Sequence, residues 1–139
     1  MPHSCAVVGL DAFFAGADPA LRELFERFVA AARENGPLTV NATKSRVTLQ
    51  VRFRFAGIDK PRRSFLLANF VLTRPLESER FTRVEYVAPY YHVHRLRLAE
   101  PADVDGELAG WLAEAYGVGE QRHLSDPDWL RVRGSPPPR

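Results

Sequence analysis

Apolar and polar residues alternate without a break from Arg46 to Phe55, RVTLQVRFRF. Val47, Leu49, Val51, Phe53 and Phe55 fall on one side, and Arg46, Thr48, Gln50, Arg52 and Arg54 on the other. Successive side chains of a strand point to opposite faces, so the pattern predicts one half-buried strand with a dry and a wet face. Phe53 lies central in the dry face, where truncation to alanine is expected to cost about 3–5 kcal/mol.

The flanking segments supply partners for this strand. Leu21, Leu24, Phe25, Phe28, Val29 and Ala32 recur at helical spacing. Asp18 is a good N-cap, Pro19 suits the first helical position, and Gly36-Pro37 ends the helix. Leu38–Thr43 reads as a short strand and Gly57–Arg63 as a turn. In Ser64–Thr73, Leu66, Ala68, Phe70 and Leu72 turn to the core. The other face, Phe65, Leu67, Asn69 and Val71, is more apolar than a solvated face should be. Phe81–Val87 reads as a strand with Val84 and Tyr86 inward. In Tyr90–Ala99, Leu96 and Leu98 face the core, and the same register turns His92 and His94 inward. Asp103 is expected to cap a second helix, Val104–Tyr116, with Gly117 and Gly119 ending it. Asp126-Pro127 reads as the opening of a last helical turn.

The order of elements predicts an α+β fold. An antiparallel sheet of four or five strands is covered on one face by the N-terminal and C-terminal helices. One domain is expected over residues 1–133, with a mobile GSPPPR tail at 134–139. Val7, Val8, Leu10, Phe13 and Phe14 are too apolar for a free lead-in. They are expected to dock, first of all over the strip Phe65, Leu67 and Val71, with a second subunit or a ligand as the other possible covers.

Composition narrows the function classes only a little. The chain has 139 residues, a net charge of +2, and 26% charged residues. A domain of this length can bury a core without staples. With Cys5 as the one cysteine, neither an internal disulfide nor a cysteine-rich zinc site can be built. No secretion signal or membrane span is legible, so a cytoplasmic protein is the expectation. The pI near 9.0 makes no global case for nucleic acid.

Several of these pieces carry a resemblance: Phe13-Phe14, Leu24-Phe25, Lys44, Phe53–Phe55, His94-Arg95-Leu96 and Asp103–Tyr116, with its W-x-x-x-A-Y ending at Trp111, Ala115 and Tyr116. In this order they resemble a family of small bacterial domains catalogued as a domain of unknown function. Some members carry the loose label "predicted transport protein". The resemblance implies an α+β domain and no particular activity.

Candidate chemistry is sparse. Arg52 and Arg54 on one strand, and Arg95 and Arg97 on another, would flank Asn69 on one face. Guanidinium groups suit phosphate or carboxylate. The same surface is more simply explained by neutralisation through Glu77, Glu79, Glu85 and Glu100, or by plain solvation. His92 and His94 have the spacing of two zinc ligands, but no third ligand stands at diagnostic spacing. They are more simply a hydrogen-bonded pair. Tyr91, with Tyr90 and Tyr116, is a candidate to line a pocket with the histidines, but the three are more simply core-edge aromatics. Lys44 is a candidate to hold an anion at the mouth of its turn, but is more simply a solvated lysine. There is no nucleophile elbow, P-loop or dinucleotide fingerprint.

The reading is therefore a non-catalytic cytoplasmic binding or interaction module that uses a basic sheet face. A small enzyme with a His/Tyr-lined pocket and a weak, non-specific nucleic-acid binder are the alternatives. No cofactor or metal is expected. Possible partners are a small anionic ligand or a second copy of the chain, and specific nucleic-acid binding is not expected. Four arginines would neutralise at most about four phosphates, so polyanion binding would be weak and salt-sensitive.

Overall fold

The computed structural model describes residues 9–121. The Asp126-Pro127 turn, the 134–139 tail, Cys5, Val7 and Val8 lie outside the described residues. After a short helical segment at residues 9–13 come helix α1, Pro19–Arg33, and six strands. These are β1 Thr39–Ala42, β2 Arg46–Gln50, β3 Arg54–Asp59, β4 Leu66–Leu72, β5 Phe81–Val87 and β6 Tyr91–Leu98. A 3-10 turn, Pro101–Asp103, leads into helix α2, Gly106–Gly119. The sheet is antiparallel throughout, in the order β1-β2-β3-β4-β6-β5. It thus has six strands rather than the expected four or five. The extra one comes from the stretch that reads as a single strand.

Arg46–Phe55 is a hairpin. Residues 51–53 leave the ladder, Gln50 pairs with Arg54, and the register shifts between Leu49 and Gln50. The backbone N–H groups of Arg52 and Phe53 both donate to the Gly119 carbonyl, each at 3.0 Å. The last turn of a helix leaves carbonyls without an internal partner, and here the hairpin turn supplies donors. Val47, Leu49 and Phe55 do face the core, all at 0% exposure. Phe53 does not. It is half-buried, stacked on Tyr91 with ring centres 5.1 Å apart, on the far side of the sheet. The expected turn at Gly57–Arg63 also starts later, because Gly57, Ile58 and Asp59 continue β3.

Helix α1 forms where its spacing places it. Asp18 accepts from the Ala20 N–H at 2.9 Å, and the six apolar residues of its stripe are all buried. Gly36 follows at φ +144°, and a Cβ there would lie 2.5 Å from the Tyr116 hydroxyl. Glycine is required on both counts. Helix α2 begins later than expected. Asp103 accepts from the Ala99 and Glu100 N–H groups in the 3-10 turn. Asp105 is the cap, accepting from the Leu108 N–H at 3.0 Å. That bond, with Arg80 beside it, holds the Asp105 carboxyl below its usual range. The glycines expected to end α2 lie within it. A Cβ on Gly119 would meet the Phe55 ring at 2.7 Å, so this glycine permits close helix–sheet packing.

Both helices pack on β4 and on each other. The core lies between them and the sheet face bearing Leu66, Ala68, Phe70, Leu72, Leu96 and Leu98, each 0% exposed. Phe13 and Phe14 join this layer, Phe14 packing on Phe25. They therefore sit on the helix side and leave Phe65, Leu67 and Val71 half-buried. Val84 and Tyr86 are 38% and 52% exposed rather than buried, because β5 lies at the sheet's edge.

These placements separate two neighbouring phenylalanines. Phe55→Ala removes a fully buried ring packed on Tyr116 and Gly119, and should cost about 3–5 kcal/mol. Phe53→Ala should cost clearly less. Urea denaturation midpoints of the two variants measure the difference.

Candidate functional site

The face of the sheet away from the helices carries a groove. Strand β4 runs along its floor, with β3 on one side and β6 on the other. One part, of about 240 Å³, is lined by Thr48, Phe53, Arg54, Ala56, Asn69, Val71, Val87, Tyr91 and Val93, with Arg46, Asp59 and Arg95 at its boundary. The same three charged residues bound a wider part of about 820 Å³, lined also by Lys60, Arg62, Leu67, Thr82, Arg83 and Glu85.

Three kinds of surface meet here. The stacked rings of Phe53 and Tyr91 form an aromatic wall, continued by Tyr90 against Tyr91 at 4.9 Å. Burial, with Tyr90 beside it, pushes the Tyr91 phenol up to about 12, so it stays neutral. The floor is polar and low. Thr48, Gly57 and Asn69 lie side by side across three strands, and the middle position has no side chain. A Cβ on Gly57 would lie 2.6 Å from the Val47 carbonyl oxygen.

The third surface is a chain of ion pairs. Arg95 meets Asp59 at 3.2 Å and Glu85 at 3.0 Å. Asp59 also faces Arg46 at 3.7 Å, and Glu85 faces Arg83 at 3.5 Å. Arg95, Asp59 and Glu85 are 25–34% exposed, so these contacts are partly shielded from solvent. Arg54 adds positive charge beside the aromatic wall.

The candidate residues named from sequence separate into groups. Arg54, Asn69, Tyr91 and Arg95 come together in the groove. Arg97 is exposed and lies over the Phe65 ring at 4.9 Å. Arg52 is not on the wet face of a strand; it lies in the hairpin turn. Lys44 is exposed in the turn between β1 and β2. Asp59, Arg46 and Thr48 are groove residues that the sequence pattern did not single out. After Phe55 the alternation changes phase, with Ala56 and Ile58 toward the core and Gly57 and Asp59 toward the groove, and from sequence Gly57 reads as the start of a turn.

His92 and His94 do not meet Tyr91. Neighbouring strand residues alternate, so Tyr91 faces the groove and both histidines face the helices. His94 is 0% exposed, stacked on Phe70 at 5.0 Å and flanked by Phe81. Its Nε2 accepts from the Leu76 N–H at 3.0 Å, which places the ring proton on Nδ1. The ring thus anchors the loop between β4 and β5. Burial lowers its pKa to about 4. His92 is half-buried beside Tyr86 at 5.4 Å, and burial lowers its pKa too. Tyr116, the third tyrosine considered for a pocket, lies on α2, and its hydroxyl donates to the Pro37 carbonyl at 2.6 Å. Among the described residues, no three His, Cys, Asp or Glu side chains are grouped to hold a metal ion. Among them, too, no helix is long and apolar enough to cross a membrane.

Residues 10–119 match the family model described as Domain of unknown function (DUF5655). The chain belongs to this family. No curated protein and no solved structure matches it. The matched span takes in all six strands and both helices, and so both faces of the sheet.

His94 carries a pH prediction. Its folded pKa lies near 4, below the unfolded value near 6.5. Between those values the unfolded chain binds more protons, so stability is complete above about pH 6.5 and falls toward pH 4. The loss should amount to a few kcal/mol, at roughly 1.4 kcal/mol for each pH unit separating the two values. In His94→Gln the amide oxygen can still accept from Leu76, and this slope should shrink to the part that His92 contributes. Denaturation midpoints between pH 5 and 7 check it.

Proposed function

We propose that this domain is a non-catalytic binding module whose sheet face opposite the two helices takes a small anionic ligand with a flat ring. The observation that carries the reading is the composition of the groove: an aromatic wall, a polar floor and guanidinium groups meet in one concave space. Ligand sites combine apolar and aromatic lining with a few placed polar groups. The ring packs against Phe53 and Tyr91. The amide of Asn69 and the hydroxyl of Thr48 meet polar substituents, and among the described residues neither side chain has a hydrogen-bond partner. The anionic group lies toward Arg54 and Arg46.

An extended polyanion fits less well. Arg95, at the centre of the face, is already engaged by Asp59 and Glu85. The face is thus a patterned groove rather than a uniform positive surface, which suits a compact ligand over a nucleic-acid backbone.

Amide-resolved NMR titration tests the proposal with three probes: adenosine monophosphate, benzoate and inorganic phosphate. A ring-bearing anion should shift the resonances of Asn69, Val71, Tyr91 and Val93 more than phosphate does. Arg54→Ala should weaken that binding about tenfold, equivalent to about 1.4 kcal/mol. Resonances that stay still with every probe, or respond equally in the Tyr91→Ala, Arg54→Ala double variant, would refute it.

A further inference from the structure

The two edges of the sheet are treated differently. β1 is four residues long and reads TVNA, and residue 9 packs tightly beside it, where a Cβ on Gly9 would lie 2.8 Å from the Ala42 carbonyl oxygen. Short, polar or covered edges are the usual protection against unwanted strand pairing. β5 carries the charged pair Arg83 and Glu85 and a bulge between Phe81 and Arg83, but it is neither short nor, among the described residues, covered. It runs for seven residues and, among the described residues, is hydrogen-bonded to β6 alone. Among the described residues, the exposed large apolar side chains all lie on it: Val84, Tyr86 and Val87, at 38%, 52% and 48%.

Its sequence, FTRVEYV, is complementary to itself. In two antiparallel copies with Val84 opposite Val84, Arg83 of each faces Glu85 of the other, and the bulge at Thr82, between Phe81 and Arg83, ends the regular pairing on that side. Opposite charges directly across a strand pair are favourable, and like charges there are unfavourable. Arg83 is available for this contact: its side chain is 69% exposed and meets its own chain's Glu85 only at 3.5 Å.

We infer that β5 is a homotypic edge, at which two copies of this chain pair antiparallel about a two-fold axis at Val84. Their six-stranded sheets then join into one of twelve strands. Such an axis makes the contact isologous, with each residue meeting its complement twice. The charge pattern selects a second copy over an unrelated extended peptide, because Arg83 and Glu85 supply both halves of each crossing. Val84 and Tyr86 cover one another on the helix side. Thr82, Arg83 and Glu85 also line the wider part of the groove, so the open end of each copy's groove lies at the two-fold. The contact stands independently of what the groove binds.

Light scattering over a dilution series tests it. The parent protein should be a dimer that dissociates on dilution. Arg83→Glu should be monomeric, since it sets like charges at both crossings, and Glu85→Arg should be monomeric for the same reason. An equimolar mixture of the two variants restores opposite charges at both crossings and should give a heterodimer. Melting curves report whether each variant folds. If Glu85→Arg does not fold, having lost the partner of Arg95, then Arg83→Glu and Tyr86→Lys, both at exposed positions, carry the test. A parent monomeric at every concentration, or a dimer that Arg83→Glu leaves intact, overturns the inference. A mixture that stays monomeric overturns the pairing at Val84.

Discussion

The carbonyl of Gly119 accepts two hydrogen bonds from consecutive amides, Arg52 and Phe53, and the layout of the sheet depends on that grip. It ties the C-terminal end of α2 to the turn between β2 and β3. Were the chain extended through this point, the side chains of Phe53 and Phe55 would share a face. Because it turns, Phe55 enters the core at 0% exposure and Phe53 passes to the opposite face. The same contact needs Gly119, since any side chain there meets Phe55. One helix terminus therefore sets the strand count, completes the core and supplies half of the aromatic wall.

The two sheet faces are finished by different physics. On the helix side, Trp111 packs on Phe70 and Phe81, with Arg80 over its ring at 5.5 Å. Arg80 then bonds Asp105, Glu107 and the Asp103 carbonyl, clasping the start of α2. Arg74 and Glu114 add a two-bond pair at 2.8 Å each. Trp111 and Tyr116, conspicuous in the sequence, thus serve to seat α2 on the sheet. Among the described residues the other face has no helix over it, and its order comes from ring stacking and ion pairs between strands.

Local patterns were legible where local forces decide. The stripe and cap of α1 follow from residues within the helix itself. The two faces of β4 separate as its alternation indicates, with even-numbered residues fully buried and odd-numbered ones half-buried. The hairpin was hidden because RVTLQVRFRF alternates straight through its turn; the partner that bends it lies about seventy residues downstream, at Gly119. The inward register of His94 was readable, but its enclosure by Phe70, Phe81 and the Leu76 loop was not. Of the groove, Arg54, Asn69, Tyr91 and Arg95 stood out by residue type. Asp59 did not, because its role comes from β6, two strands away.

Arg95 reaches across β4 to Asp59 while holding Glu85 on the other side. Backbone bonds in a sheet join only adjacent strands, whereas this guanidinium fastens β3 to β6 over an intervening strand. It acts as a lateral lashing. Twisting the β1–β3 half against the β6–β5 half loads the Arg95–Asp59 contact, and peeling β5 away loads the Arg95–Glu85 contact. A single planar group thus ties together three strands, of which β3 shares no backbone bond with β6 or β5.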